Sequence, residues 1–286
     1  MYNWIMNNKI KLLGVKISTQ SNNEVLLQIK KILNSDSKHY ITTPNPEFLL
    51  IAEQDNVFKK ILNQSDINIP DGIGILWAAK FLSLKSSKNI ILRILQLISQ
   101  YFYTLAAIIF HPKYIRTIIP ARITGSDLTW EILKLAEKKN KAVYLLGSKQ
   151  GIAKESAQII KNKYPNIRIA GAQSGGFPIV SNNQNIIDDI NRVKPDIIFV
   201  ALGAPKQEKW IRNNLPKLKS IKLAIGVGGA LDFISGNIER APKIFINLGL
   251  EWIYRLYKEP KRIIRIYHAT IKFPFIIFKY KLINKT

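Results

Sequence analysis

The chain has 286 residues, 47% of them hydrophobic, with 43 Lys and Arg against 19 Asp and Glu, a formal charge of +24. That apolar share excludes a disordered polar chain, and the length allows one large α/β domain or two ordinary ones, with a sizeable core. Cysteine is absent and the three histidines stand apart at 39, 111 and 268, which excludes disulfides, thiolate nucleophiles and Cys zinc sites and argues against a His-rich metal site.

Taken in chain order, the pattern predicts a short strand at Leu12–Ile17 and a helix around Asn23–Leu33. A strand at Tyr40–Thr43 follows, stopped by the prolines of Thr43-Pro44-Asn45-Pro46. Apolar residues between Glu47 and Asn63 predict one helix with a buried face, then a short strand at Ile67–Ile69 and a helix from Ile73 to Phe81. The second half alternates helix Leu128–Lys138, strand Ala142–Leu146, helix Ala153–Lys161 and strand Ile167–Ala170. It continues with helix Gln184–Val193, strand Ile197–Ala201, helix Gln207–Asn213 and strand Leu223–Val227. Short apolar runs alternating with helices predict a mostly parallel, Rossmann-like α/β sheet with flanking helices. The start, Met1–Gly14, is broken by Asn and Lys and does not read as a signal peptide.

Two apolar regions interrupt or extend this core. Ile90–Phe110 carries a narrow polar stripe of Arg93, Gln96, Gln100 and Thr104, and its 17-residue uncharged run Ile94–Phe110 is near the lower limit for crossing a bilayer. A single crossing would put Asp71 and Gln207 on opposite sides of the membrane; an in-plane helix, a re-entrant hairpin or a helix packed on protein would not. From Ala241 to Thr286 there are ten Lys and Arg against two Asp and Glu, interleaved with Phe, Tyr, Ile and Leu. Lys-, Asn- and Ile-rich usage accounts for part of the overall charge but not for this clustering. Basic residues among bulky apolar ones are the pattern of a membrane-surface element more than of a nucleic-acid tail.

Ligands of parallel sheets lie beyond the carboxyl ends of the strands. The loops expected there are Thr43-Pro44-Asn45, Pro70-Asp71-Gly72-Ile73-Gly74, Gly147-Ser148-Lys149-Gln150-Gly151, Gly203-Ala204-Pro205-Lys206-Gln207-Glu208 and Gly226-Val227-Gly228-Gly229-Ala230-Leu231-Asp232. Each alone is an ordinary turn; several at one edge point to a nucleotide or sugar-phosphate site. Asp71 reads equally as a turn residue that caps the next helix and as a carboxylate able to take a proton from a sugar hydroxyl. Gln207 and Glu208 read as simple helix starters as well as site residues. A nicotinamide enzyme would need a Gly-x-Gly-x-x-Gly after the first strand, which is missing.

Those blocks, with Asn45-Pro46-Glu47, Arg122-Ile123-Thr124-Gly125-Ser126-Asp127-Leu128, Glu251-Trp252-Ile253-Tyr254-Arg255-Leu256 and Glu259-Pro260-Lys261-Arg262, together resemble the WecG/TagA/CpsF family, glycosyltransferase family 26, over roughly residues 10 to 268. The resemblance implies an inverting enzyme that moves an N-acetylmannosamine-type sugar from a UDP donor to polyprenyl-diphosphate-linked N-acetylglucosamine, for a cell-surface polysaccharide or teichoic acid. It implies a peripheral location on the cytoplasmic face of the membrane. It also implies Asp71 as general base, with Thr43, Asn45, Arg122 and Gln207 around donor and acceptor. Gly147, Gly203, Pro205, Gly228, Gly229 and Asp232 fall along the nucleotide pocket, and Arg255, Arg262 and Arg265 at the diphosphate or the membrane.

Loss of UDP develops charge on the β-phosphate, which enzymes offset with a carboxylate-held metal or with fixed cations. The chain has no Asp-x-Asp, so arginine is expected to serve instead, with no metal and no cofactor. Positions 255, 262 and 265 share a helix face if the helix runs on past Pro260; lipid headgroups are the alternative target of these three. The expected organisation is a glycosyltransferase core at 1–246, with the apolar insertion near 82–120, and a basic appendage at 247–286. Expected partners are the two substrates and an anionic membrane surface, without nucleic acid; a homo-oligomer stays open. The rival reading is a non-catalytic, membrane-associated protein that binds nucleotide or nucleic acid.

Overall fold

The computed structural model describes residues 5–6, 8–120, 124–174, 183–239, 241–242, 245, 251–258 and 260–284. The chain opens with β1 (Ile5–Met6), β2 (Lys9–Leu12) and β3 (Val15–Ser18), an antiparallel sheet of three strands. The single strand expected at 12–17 is therefore a hairpin. Leu13 and Gly14 form its two-residue turn with φ of 49° and 80°, the left-handed pair that such a turn requires.

Helix α1 (Asn22–Asn34) begins with a capping box, in which Ser21 and Glu24 satisfy each other's backbone N–H groups. After β4 (His39–Thr42) come α2 (Pro46–Gln54) and α3 (Asn56–Gln64) in place of one long helix. Asp55 makes the break: its carboxylate accepts from Phe58 N at 2.9 Å and caps α3. Next are β5 (Ile67–Asn68), α4 (Ile73–Ser83), α5 (Ile90–Phe110) and α6 (Pro112–Ile115). The regular half follows as α7 (Gly125–Lys138), β6 (Ala142–Gly147), α8 (Ile152–Lys163), β7 (Arg168–Gln173) and α9 (Asn183–Val193). It closes with β8 (Ile197–Ala201), α10 (Lys206–Asn214), β9 (Leu223–Gly226) and α11 (Ala230–Ile234).

Strands β4 to β9 form one parallel sheet in the order β5-β4-β9-β8-β6-β7, the predicted α/β class. Strands β6, β8 and β9 are buried along their whole length, as expected when helices cover both faces. Alternation sorts their side chains. Val143 and Leu145 join Ile29, Ile132, Ile160 and Leu231 on one face, while Tyr144 and Leu146 join Ile186, Ile190, Trp210 and Ile211 on the other.

A further apolar cluster lies beside the sheet, where the β2–β3 hairpin, α2, α3, α4 and the inner side of α5 meet. The C-terminal segment runs α12 (Glu251–Lys258), a 3₁₀ turn at Pro260–Arg262, α13 (Ile263–Tyr267), a π turn at His268–Lys272 and α14 (Phe273–Ile283). Positions 255, 262 and 265 therefore do not share one continuous helix, because the segment around Pro260 breaks it. Phe273 and Ile277 are fully buried in the cluster around α4, and each stabilises that docking by about 2 kcal/mol. The helical appendage is thus seated on the core at its far end.

Candidate active site

Because the six strands run the same way, their carboxyl ends share an edge. The loops after β4, β5, β6, β8 and β9 close there on one cleft of about 990 Å³. Thr43, Asn45, Asp71, Gln207, Gly203, Gly228, Gly229, Asp232, Arg262 and Arg265 all line it. Arg122 lies outside the described residues, and so does the side chain of Arg255.

At one side the loops after β4 and β5 are tied together by Asp71 N donating to Pro44 O at 2.9 Å. Gly125, first residue of α7, faces both: a Cβ there would lie 3.6 Å from Thr43 Oγ1 and 3.8 Å from Asp71 Oδ2. The hydroxyl and the carboxylate thus flank the same point, beside Thr124 and Ser126. Asn45 has a second duty, since its Oδ1 caps α2 by accepting from Phe48 N at 3.1 Å. That leaves its amide nitrogen to meet a ligand.

Gln207 clamps the other side. Its Oε1 accepts from Gly203 N at 3.1 Å and from Gly228 N at 3.0 Å, so one amide joins the loops after β8 and β9. Its Nε2 donates to Glu208 Oε1 at 2.7 Å, which fixes the amide's orientation. Glu208 is fully buried, its Oε2 has no partner among the described residues, and burial pushes its pKa up to about 7. Gly226 lets the pair sit against β9: a Cβ there would stand 2.6 Å from Gln207 Nε2 and 2.7 Å from Glu208 Oε1. The Gly203 and Gly228 N–H groups, expected at the nucleotide, are in this state engaged by Gln207.

Two expected pocket residues do not line the cleft. Gly147 serves strand packing instead, since a Cβ would collide with Ala201 O at 2.7 Å. Pro205 stands at the start of α10 while its neighbours Ala204 and Lys206 face the cleft. Arg265 lines the cleft but its guanidinium is held by Glu47, Nε to Oε2 at 2.9 Å. Asp232 accepts from Ser148 Oγ at 3.0 Å, joining the loops after β6 and β9.

Sequence reasoning passed over Ser148, Lys149, Lys206 and the buried state of Glu208. The first three stood inside flagged loops, so a rule that polar side chains of strand-end loops face the cleft would have found them. Among the described residues no three His, Asp or Glu side chains gather as a metal-ion site. The cleft's remaining wall is apolar, from Trp77, Leu105, Ile108, Ile109, Ile266 and Pro274. One cleft therefore offers a carboxylate with hydroxyls, several cations and a greasy side, a set suited to a polar, anionic substrate that carries an apolar part.

The sequence pattern of the glycosyl transferase WecG/TagA/CpsF family matches residues 10–101 and 106–286, and the chain belongs to that family. A relative from Bacillus subtilis (strain 168), named N-acetylglucosaminyldiphosphoundecaprenol N-acetyl-beta-D-mannosaminyltransferase, is 34% identical over 233 residues, 79% of this chain and 77% of the relative. Proteins of the same name from Bacillus spizizenii (31% identical over 233 residues, 80% of this chain and 75% of the relative) and Staphylococcus aureus strain MRSA252 (29% over 276 residues, 96% and 92%) are also similar. The chain is thus a member of a glycosyltransferase family, and the rival binding-protein reading is not favoured.

Proposed function

We propose that the chain transfers N-acetylmannosamine, with inversion, from a UDP donor to N-acetylglucosaminyl-diphosphoundecaprenol at the cytoplasmic face of the membrane. The product serves a cell-surface polysaccharide or teichoic acid. The single observation that carries the reading is the convergence of Asp71, Thr43 and Asn45 with Lys149, Lys206 and Arg262 on one cleft with an apolar wall. The names of the relatives support the acceptor and the sugar.

In this reading an acceptor hydroxyl attacks the anomeric carbon from the side opposite the diphosphate. The new C–O bond forms as the bond to the β-phosphate oxygen breaks, and the hydroxyl proton passes to Asp71. Thr43 and Asn45 orient the sugars. Charge on the departing UDP is met by Lys149, Lys206 and Arg262, fixed cations in a partly closed cleft where charge pairs gain strength over those in water. Arg265 contributes if a phosphate displaces Glu47, Arg255 is assigned to the same diphosphate, and Arg122 to the surroundings of donor and acceptor. The Gln207 clamp shapes the donor side by holding the loops after β8 and β9. Residues 247–286 form the appendage that brings basic residues to an anionic leaflet, with ~1 kcal/mol per basic residue near the surface.

The test is incubation of the purified protein with UDP-N-acetylmannosamine and a polyprenyl-diphosphate N-acetylglucosamine, following UDP release and the lipid product. Release of UDP coupled to a lipid heavier by one N-acetylhexosamine supports the reading; an unchanged acceptor with folded protein overturns it.

A further inference from the structure

Helix α5 packs on the protein through Leu97 and Ala107 and yet carries a second, broad apolar face that the protein leaves uncovered. Of its polar stripe, Arg93 and Thr104 are buried against the protein, Gln100 is half-buried, and Gln96 is exposed and bonds to the segment before the helix. Arg93 donates to Lys281 O at 2.7 Å and Asn284 O at 3.0 Å; Gln96 accepts from Ser87 N at 2.8 Å; and Gln100 donates to Lys85 O at 2.8 Å while accepting from Lys281 Nζ at 2.8 Å. Thr104 accepts from Trp77 Nε1 at 2.9 Å. The opposite face turns Ile91, Leu95, Ile98, Phe102 and Phe110 outward, Phe102 at 66% and Phe110 at 84% exposure. An unpaired apolar face of this length exceeds what a solvated surface ordinarily carries.

Helices α4 and α7, on either side of α5 in the chain, both line the one cleft and pack in the body of the protein. The helix therefore does not cross a bilayer; it lies along the protein with one face out. Lys85 and Lys88 precede it and Lys113 and Arg116 follow it, all exposed or half-exposed, so both ends suit an anionic headgroup layer. Exposed Ile263, Ile264, Ile271 and Phe275 extend apolar surface onto the adjoining C-terminal segment, which touches α5 through Phe278 against Tyr101. On its inner edge Leu105, Ile108 and Ile109 line the cleft.

We propose that the outer face of α5 is a membrane-docking surface that lies in the plane of an anionic bilayer and sets the apolar wall of the cleft at the lipid boundary. The choice of a bilayer as occupant rests on the basic residues at both helix ends and on the proposed lipid-linked acceptor, whose chain then stays in lipid while its sugar reaches Asp71. Cations at the flanks with Ile, Leu and Phe between them are the composition of an interfacial helix.

The chain has no cysteine, so single labels are easily placed. Phe102→Cys and, as a control on α8, Lys161→Cys would carry an environment-sensitive dye, with vesicles of anionic and zwitterionic phospholipid, some brominated in the acyl chains. The label at 102 is expected to shift to the blue and be quenched on vesicle addition, and that at 161 to stay unchanged. Separately, Ile98→Asn with Phe102→Asn is expected to lower vesicle partitioning by about tenfold or more with an unchanged melting temperature. A label at 102 that remains in water while the protein is vesicle-bound overturns the proposal. So does one already buried in a dimer without lipid, which would assign this face to a second copy. Transfer to a short-chain, water-soluble acceptor is assayed alongside: its absence in the wild type would count against the transferase reading and leave the docking result standing.

Discussion

Replacing Glu208 by Gln isolates the cost of closing a carboxylate inside the protein. Burial raises its pKa from 4.5 to about 7. The unfolded chain gives up this proton near 4.5 and the native protein near 7, so between those values the native state holds more protons and stability falls as pH rises. The contribution is complete below 4.5 and gone above 7; at about 1.4 kcal/mol per pH unit it amounts to roughly 3 kcal/mol. The glutamine side chain of E208Q keeps an acceptor for Gln207 Nε2 and has no charge to lose. Urea unfolding of wild type and E208Q from about pH 5 to about pH 8 gives the comparison. The variant should lack the slope, gaining on the wild type by most of that amount. Parallel pH profiles for the two proteins would refute the reasoning.

Asp71→Asn should lower kcat by about 10²- to 10⁴-fold with the melting temperature unchanged; a folded variant at full rate would exclude Asp71 as base. Gly226→Ala drives a methyl group to 2.6 Å from Gln207 Nε2, which should cost about 1–3 kcal/mol in urea unfolding and raise the donor KM as the clamp shifts. Arg93→Met removes hydrogen bonds to the Lys281 and Asn284 carbonyls and should cost about 1.5–3 kcal/mol. Faster hydrogen exchange at residues 281–284 is the readout. If Arg262, Lys149 and Lys206 neutralise the departing diphosphate, a chelator should leave the initial rate unchanged, and restoration by added divalent cation would contradict that.

Much of the sheet was legible because β6, β8 and β9 are continuous apolar runs and the short β4 and β5 are stopped by Pro44 and Pro70, so each flagged loop follows a readable strand end. Asp71, Thr43 and Asn45 came together for that reason. What failed to read out was local or long-range. Asp55 ends one helix and caps the next, and the apolar spacing on either side of it fits a single helix equally well. The Leu13-Gly14 turn sits between residues that alternate as one strand would. Gln207 was legible as a residue of the edge, but not as a clamp, because its partners lie in two loops and the buried pair depends on Gly226.

The polar stripe of α5 could be counted in sequence, while the side it faces could not. Arg93 and Gln100 are turned inward by Lys281 and Asn284, far away in the chain, and by Lys85, while Trp77 holds Thr104 on the same side. An amphipathic pattern is the same whether its narrow polar edge meets water or protein carbonyls.

The central claim is transfer of one sugar to a lipid-linked acceptor through Asp71. Its most direct measurement is the mass of the polyprenyl-diphosphate product after incubation with UDP-N-acetylmannosamine and chelator, for wild type and Asp71→Asn side by side. The account predicts a gain of one N-acetylhexosamine with the wild type and almost none with the variant. An unaltered acceptor mass with both, from folded protein, would contradict it, as would equal product from both.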